Sequence, residues 1–316
     1  MTVSTAIELY RGDLVGRAAQ VASLHRDELK RRAVEAARDK NVAALWVITE
    51  AHLTSYGTTG ARISPHTLRV YREAVQAFVA HAADQAVSLL NPDRTVGPLY
   101  LRRLEAAGRS PATVRVKLAG ARALYRALRW AGATDVDPFI DAQAARDLTP
   151  AWDKRQPYSE DEVQRLLRAA DPRMQALLLL CAHAGLRISE ALALTWADVD
   201  LGARVVTVIN GKGRKSRRVN MSRSLVDALE TLGSGTGPVI GGGADAARER
   251  LGWVCRRAHV EPRGYHALRH YAGTRLLREG QSLDAAARHL GHASIETTRI
   301  YAKWADDGLK SVLSSW

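Results

Sequence analysis

The residues best suited to chemistry in this sequence lie in its second half. Arg187 follows a glycine turn in the segment Gly185-Leu-Arg-Ile-Ser-Glu190, where a planar guanidinium can donate two hydrogen bonds to a phosphate. Lys212 stands between two glycines, which let the backbone approach a ligand closely while the long side chain extends toward it. Taken alone, an arginine at a helix start is more often an ordinary surface residue, and the lysine by itself is equally unremarkable.

Two further segments add imidazole, guanidinium and phenol groups. His266 and Arg269 are three positions apart in His-Ala-Leu-Arg-His, a spacing that places both on one side of a helix. His270 is four positions from His266 and fits a buried core histidine equally well. Leu290-Gly291-His292 comes next, and Tyr301 follows nine residues later. A lone tyrosine is more often a packing residue than a nucleophile.

Together these groups match what phosphoryl transfer demands. The reaction needs a nucleophile, cations around the non-bridging oxygens and an acid for the leaving oxygen. The sequence contains no cluster of Asp, Glu and His with metal-ligand spacing. A glycine-rich stretch over 233–243 has no following Gly-Lys-Ser/Thr motif, so it is read as a connection and not as a nucleotide site. We therefore expect neither a metal nor a cofactor.

The order of these residues resembles the signature of the tyrosine recombinase, or phage integrase, family. The signature comprises Arg187, Lys212, His266-x-x-Arg269, Leu290-Gly291-His292 and Tyr301. Its intervals match as well, with 25 residues from Arg187 to Lys212 and 23 from Arg269 to His292. The resemblance is strong over 157–308 and weaker over 55–138, and among members it is greatest to the bacterial Xer-type enzymes.

The resemblance implies a site-specific recombinase that cleaves and rejoins DNA through a 3′-phosphotyrosine. It assigns phosphate binding to Arg187, Arg269 and His292, proton donation to Lys212, assistance to His266 and nucleophilic attack to Tyr301. The implied partners are double-stranded DNA carrying a recombination site and further protomers, as a tetramer on two sites, with a paralogous recombinase as a possible companion. A type IB topoisomerase or a catalytically silent DNA-binding partner would share parts of this pattern and stays open as an alternative.

Composition points to the same class of partner. The chain of 316 residues has 46 Lys and Arg against 33 Asp and Glu, a formal net charge of +13 and a pI of about 10.1. The excess is spread over both halves, with 21 basic against 15 acidic residues in 1–150 and 25 against 18 in 151–316. Such a balance favours a polyanionic ligand, and nucleic acid is the first candidate.

Cysteine use and hydrophobicity predict the compartment. Cys181 and Cys255 lie in apolar, helix-like stretches, which argues for buried thiols in a reducing environment. The longest apolar run, over 174–184, is shorter than the ~18 residues that a membrane span requires, and no cleavable signal opens the chain. We expect a cytoplasmic protein without a membrane partner.

The elements that must position these residues are mainly α-helical with a small β component, in two domains. Ser64-Pro65 and Ser110-Pro111 are typical helix starts, and 205–209 with 216–221 predict a β-hairpin. We predict a helical extension over 1–40, a helical core-type DNA-binding domain over 41–138, a proline-punctuated linker over 139–156 and a catalytic domain over 157–316. The last domain would end in a docking segment over 306–316.

One helix of the first domain carries a basic stripe beside its apolar face. At 100° per residue, four arginines fall within a narrow arc, and the apolar side chains fill a neighbouring one. A charged face of this kind usually contacts only water, but a basic partner domain favours DNA. The predicted DNA-binding residues are Arg69 on the preceding helix and the stripe of Arg115, Arg122, Arg126 and Arg129.

Overall fold

The chain is mainly helical and divides into two compact units, Met1–Leu148 and Thr149–Trp316. A computed structural model describes residues 3–150, 156–209 and 216–291, with side chains from residue 8 onward. The predicted fold class is confirmed, since helices dominate and one three-stranded sheet accompanies them. Within the described ranges, no helix is both long and apolar enough to cross a membrane.

The first unit consists of helices and their connections over its described residues. These are α1 Val3–Ala22, α2 Arg26–Arg38, α3 Val42–Tyr56, α4 Pro65–Asp84, α5 Val96–Ala106 and α6 Pro111–Trp130, with a short 3-10 helix at Gly60–Arg62. Both predicted Ser-Pro starts are confirmed, because the Ser64 and Ser110 hydroxyls accept hydrogen bonds from the backbone N–H three residues on, at 3.1 and 3.3 Å. Such a bond satisfies one of the unpaired donors at a helix start.

Helices α4 and α6 pack against each other in the core of the first unit. Gly120 permits the close approach, since a Cβ there would lie 2.3 Å from the Cβ of Ala74. The predicted apolar face of α6 is buried, and Tyr125 on that face is fully enclosed. Its ring contacts Phe78 and Phe139 with centroids 6.0 and 5.8 Å apart. Edge and tilted contacts of this kind add to the stabilisation from burial.

The beginning of the predicted linker packs as part of the first unit. Phe139 is fully buried and Ala142 is 2% exposed, and the guanidinium of Arg122 donates to the carbonyl oxygens of both residues. Asp137 caps the turn by accepting the N–H of Phe139 at 3.0 Å. The prolines around this stretch predicted a linker. The Phe139 side chain is instead buried in the hydrophobic core, and this burial holds the backbone against α6.

The second unit contains seven helices and three strands in its described part. They are α7 Glu160–Ala169, α8 Pro172–Ala182, α9 Ile188–Ala193, β1 Val199–Asp200, β2 Val205–Ile209, β3 Ser216–Asn220, α10 Arg223–Leu232, α11 Ala244–Arg257, α12 Tyr265–Arg278 and α13 Leu283–Leu290, with a 3-10 helix at Trp196–Asp198. The capping box of Ser159 and Glu162 at the start of α7 is confirmed. Helix α8 begins at Pro172, before the first apolar residue, because Asp171 caps it.

The sheet is antiparallel with strand order β1-β2-β3. The predicted hairpin is confirmed, and Val206 and Val219 face each other as buried partners. Residues 210–215 of its turn lie outside the described ranges. Strand β1 was not predicted, because two residues are too few to show an alternating pattern.

Helix α8 forms the centre of the second core. All residues from Ala176 to Ala182 are buried, because both α10 and α12 pack on this helix. Cys181 and Cys255 are buried free thiols, as the sequence predicted. Burial raises the pKa of the Cys181 thiol to about 12, so this side chain is neutral and serves packing.

Candidate active site

Three of the six predicted catalytic residues lie in the described structure. Arg187, His266 and Arg269 all belong to the second unit. Lys212, His292 and Tyr301 lie outside the described residues, and their roles remain predictions.

Arg187 stands at the N-terminus of α9, immediately after the turn that Gly185 makes at φ 64°. Its backbone N–H donates to Oε2 of Glu190 at 2.9 Å, and its Nη1 donates to Oε1 of the same carboxylate at 2.8 Å. The side chain remains 41% exposed. Glu190 therefore holds Arg187 at the start of the short helix, while part of the arginine side chain remains exposed to solvent.

Arg269 lies on α12 and is 1% exposed. Its Nη1 donates to the carbonyl oxygen of Gly185, and its Nη2 donates to that of Leu290 at 2.7 Å. These carbonyls precede Arg187 and His292 by two residues each. A single guanidinium thus joins the two segments that carry other residues of the predicted set.

Glu190 lies at the centre of this arginine cluster, and the sequence interpretation did not select it. It receives the two bonds from Arg187, lies 3.8 Å from Nη1 of Arg269, and accepts two more bonds from Arg217 at 3.1 and 2.8 Å. Burial raises the pKa of this carboxyl, but hydrogen bonds from Arg217 and from the Arg187 N–H lower it to about 2. Glu190 is therefore ionised at neutral pH and balances part of the cationic charge around it.

The sequence did contain a signal for Glu190. It closes the segment Gly185-Leu-Arg-Ile-Ser-Glu190 and stands three residues after Arg187, at the position where a carboxylate caps a helix start. Arg217 offered no such signal, because it lies on β3 and meets Glu190 only through the tertiary fold.

His266 and Arg269 differ in exposure although they lie on the same helix. His266 is exposed in the first turn of α12, whereas Arg269 is buried one turn deeper. His270 is 7% exposed, and its ring meets that of His266 edge-on with centroids 4.5 Å apart. The interpretation of His270 as a core residue agrees with this burial.

The entry to α12 is fixed by contacts with Tyr158 and with Glu162 of α7. The hydroxyl of Tyr158 accepts the backbone N–H of Arg263 at 2.7 Å, and the Arg263 guanidinium donates to both carboxylate oxygens of Glu162 at 2.6 and 2.9 Å. Gly264 then turns the chain into the helix at φ 77°. These contacts hold the end of α12 that presents His266.

The structure separates the predicted basic stripe of the first unit into two pairs. Arg115 and Arg126 are exposed. Arg122 binds backbone carbonyls, and Arg129 forms an ion pair with Asp137 at 3.0 Å. Arg69 on α4 is exposed as well, with its Nη2 3.2 Å from Nδ1 of His66. Three of the five predicted DNA-binding arginines thus present their side chains to solvent.

Comparison with known proteins identifies the relationship. The model of the Phage integrase family matches residues 158–307, and that of the Phage integrase N-terminal SAM-like domain matches 59–132. Tyrosine recombinase XerC of Xylella fastidiosa strain 9a5c is 30% identical over 262 residues, covering 76% of this chain and 86% of that protein. XerC of Xanthomonas campestris pv. campestris strain B100 is 31% identical over 261 residues, covering 76% and 79%.

This chain belongs to the tyrosine recombinase family. Members are enzymes that cleave and rejoin DNA through a tyrosine intermediate, as the signature predicted. The same fold occurs in the lambda integrase tetramer bound to a Holliday junction, at a TM-score of 0.65 and 16% identity, covering 82% of this chain and 76% of that one. The Tn1549 transposon integrase bound to circular intermediate DNA gives 0.60 at 18% identity, covering 81% and 94%.

The described residues contain no group of three or more His, Cys, Asp or Glu side chains that could hold a metal ion. What this recombinase does contain is a cluster of three arginines, Arg187, Arg217 and Arg269, around one buried carboxylate. Two of the three belong to the signature. The arrangement places three guanidinium groups around a single carboxylate, so the cluster keeps an excess of positive charge.

Proposed function

We propose that this tyrosine recombinase exchanges strands at a specific DNA site with Tyr301 as the nucleophile. The observation that carries the proposal is the convergence of Arg187 and Arg269 on Glu190, since two arginines 82 positions apart in the chain share one counter-charge. Clustered guanidinium groups are suited to a phosphoryl group in transfer, whose charge is spread over several oxygens.

The proposed reaction conserves the energy of the phosphodiester bond. The Tyr301 oxygen attacks phosphorus, the bond from phosphorus to the 5′ oxygen breaks, and the enzyme retains a 3′-phosphotyrosine. Lys212 gives the proton that the departing 5′ oxygen takes up. Arg187, Arg269 and His292 stabilise the non-bridging oxygens, and His266 assists as a hydrogen-bond partner or base. A 5′ hydroxyl of another strand reverses the step.

We propose double-stranded DNA with a recombination site as the substrate and a tetramer on two such sites as the active assembly. The net charge of +13 favours a polyanion, and the related lambda integrase was solved as a tetramer on a Holliday junction. A paralogous recombinase could occupy two of the four positions. The cationic groups supply the charge stabilisation that a metal provides elsewhere, so we expect metal-independent cleavage.

We further propose that the helical region over 41–138 binds the DNA backbone while the region over 157–316 performs the chemistry. Arg69, Arg115 and Arg126 are the candidates for backbone contacts, because their side chains are exposed. Apolar residues recur at helical spacing in 306–316, which lies outside the described residues. Docking of that segment on a neighbouring protomer remains part of the proposal.

The test is to trap covalent complexes on a library of double-stranded DNA fragments and to sequence what is bound. Wild-type protein should enrich one site and form an adduct that survives denaturing electrophoresis. Tyr301→Phe should form none yet still bind the enriched site, because only a hydroxyl is lost. Tyr56→Phe is the matched control, since this tyrosine is exposed on α3 of the other unit, and it should cleave as wild type does.

The outcomes separate the alternatives. A normal adduct from Tyr301→Phe would refute the nucleophile. Relaxation of a supercoiled plasmid that lacks the enriched site, at the rate seen with the site, would favour a type IB topoisomerase. Binding without any adduct from the wild type, with or without added Mg²⁺, would favour a silent DNA-binding partner.

A further inference from the structure

Arg217 is a third arginine at Glu190, and the recombinase signature recognised in the sequence does not include it. It lies on β3, five residues after Lys212, with 12% of its side chain exposed. Its strand neighbours Ser216 and Arg218 are exposed. The alternation of the strand therefore turns Arg217 inward, toward α9.

Arg217 and Glu190 form a bidentate salt bridge, or fork. Nη1 donates to Oε1 at 3.1 Å, and Nη2 donates to Oε2 at 2.8 Å. Each of these oxygens also accepts one bond from Arg187. Two parallel bonds fix the plane of a carboxylate as well as its position, so Arg217 determines the direction from which Glu190 holds Arg187.

Arg217 also lies against the residue that precedes His292. Gly291 ends α13 in the left-handed conformation at φ 69°. A Cβ at that position would lie 2.6 Å from Cδ and 2.7 Å from Nε of Arg217. No side chain fits between the two residues, so the stem of Arg217 forms the surface on which the end of α13 rests.

We propose that Arg217 is a positioning residue that aligns the catalytic groups of this recombinase with one another. It holds Arg187 through Glu190, supports the backbone that leads to His292, and belongs to the hairpin that carries Lys212. The inference rests on the proposed function, because alignment has a kinetic meaning only if those groups act on one phosphate. With both Nη groups on Glu190, Arg217 acts through its neighbours and not on the DNA.

The charges around Glu190 explain why an arginine is needed at this position. Among the residues that the structure describes, the groups that face it are Arg187 of α9, Arg217 of β3 and Arg269 of α12, with the neutral Cys181 thiol of α8 close by. Burial lowers the pKa of His289 on α13, beside Arg217 and Arg269. A lysine would restore the charge of Arg217 but could not form the fork.

Removal of Arg217 should change the acid limb of the pH profile, that is, the pH range in which the cleavage rate falls as the solution becomes more acidic. Burial raises the pKa of Glu190, and the bonds from Arg217 are the largest influence that lowers it. In Arg217→Gln the Glu190 pKa should therefore rise, so that protonation releases Arg187 at a pH where the wild type still holds it. The variant should lose cleavage toward acidic pH before the wild type does.

The experiment compares full-length wild type with Arg217→Gln, Arg217→Lys and Arg218→Gln. The substrate is a nicked duplex carrying the site that wild type enriches from the fragment library, at saturating protein. Arg217→Gln should lower the single-turnover cleavage rate about 10- to 100-fold, the range expected for misplaced catalytic groups, with unchanged affinity. Arg217→Lys should recover the acid limb but not the full rate. Arg218→Gln loses the same charge from the outward face and should keep the wild-type rate.

Several results would overturn the proposal. One is a wild-type rate and acid limb in Arg217→Gln, and another is an equal loss in Arg218→Gln. If Arg217→Gln fails to fold, full activity with an unchanged acid limb in the folded Arg217→Lys would also contradict it, because the fork would be dispensable. If the wild type forms no adduct, the proposed function has failed, and a ¹³C NMR titration of Glu190 decides the contact separately. An unchanged Glu190 titration in Arg217→Gln would refute the contact itself.

Discussion

The two units of this recombinase use arginine in opposite ways. In the second unit Arg187, Arg217 and Arg269 gather around a single carboxylate whose side chain is 7% exposed. In the first unit the arginines of α6 do not share a common counter-charge. Arg122 binds backbone carbonyls and Arg129 binds Asp137, while Arg115 and Arg126 are exposed.

The difference shows that a cluster of like charges needs a buried counter-charge, whereas a row of them does not. Guanidinium groups a few ångströms apart repel one another, and the repulsion grows as water is excluded. Glu190 offsets it in the second unit. Along α6, Arg122 and Arg129 each have their own partner within the first unit, and they stabilise its fold. Arg115 and Arg126 are exposed to solvent and stay available for a ligand.

The largest effect that tests this comparison should come from Glu190→Gln. Removal of the carboxylate leaves three neighbouring guanidinium groups without their shared partner, which should lower the free energy of unfolding of the second unit by on the order of 3 kcal/mol. Urea denaturation of the full chain, followed by hydrogen exchange in each unit, would measure it. Glu249→Gln on the exposed face of α11 is the matched control and should change nothing. Equal stability of the two variants would contradict the role of Glu190.

The next test is the pH dependence of the same contribution. The pKa of Glu190 is about 2 in the folded chain, below its ordinary value of 4.5. A lowered carboxyl pKa stabilises the folded state fully above the ordinary value, and the contribution is lost as pH falls from there through the folded pKa. The stability difference between wild type and Glu190→Gln should therefore be constant near neutral pH and shrink between pH 4.5 and about 2. A difference that does not change across that window would argue against an ionised Glu190.

A smaller effect should appear in the first unit on replacement of Arg122. Arg122→Gln loses charge-assisted bonds to the carbonyls of Phe139 and Ala142, which should lower the stability of that unit by about 1.5–3 kcal/mol. Arg126→Gln on the same helix is the control, because its side chain is exposed. Hydrogen exchange at the Phe139 amide would report the loss locally, and equal protection in the two variants would return Arg122 to the set of ligand-binding candidates.

The helices and the signature residues could be predicted from the sequence because both are local patterns. Ser64, Ser110 and the Ser159 capping box each mark a helix start within four residues of sequence. The apolar residues of α6 recur at helical spacing. The contribution of Phe139 to the first core was not predicted, since its burial depends on a space that only the folded helices create.

The composition of the site shows the same limit. Arg187 and Glu190 lie within one short motif, but Arg217 joins them from a strand 27 residues beyond Glu190, and no spacing rule links the two. The apolar face predicted for α6 is buried, as its spacing indicated. Whether each arginine binds its own backbone or remains exposed depended on where residues 137–142 fold, which the helix alone does not encode.

The smallest effect that we predict separates the exposed arginines from the engaged ones by their response to salt. Each phosphate contact releases condensed counterions, so log affinity falls with log salt in proportion to the number of contacts. In a Tyr301→Phe background, which excludes covalent trapping, the double variant Arg115→Gln with Arg126→Gln should flatten the slope by about 1–2 units on duplex DNA. Arg129→Gln should leave the slope unchanged, because its charge is already paired with Asp137. Fluorescence anisotropy across a salt series measures both. An equal flattening in the two proteins would mean that DNA draws Arg129 away from Asp137, and an unchanged slope in the double variant would return the whole of α6 to solvent.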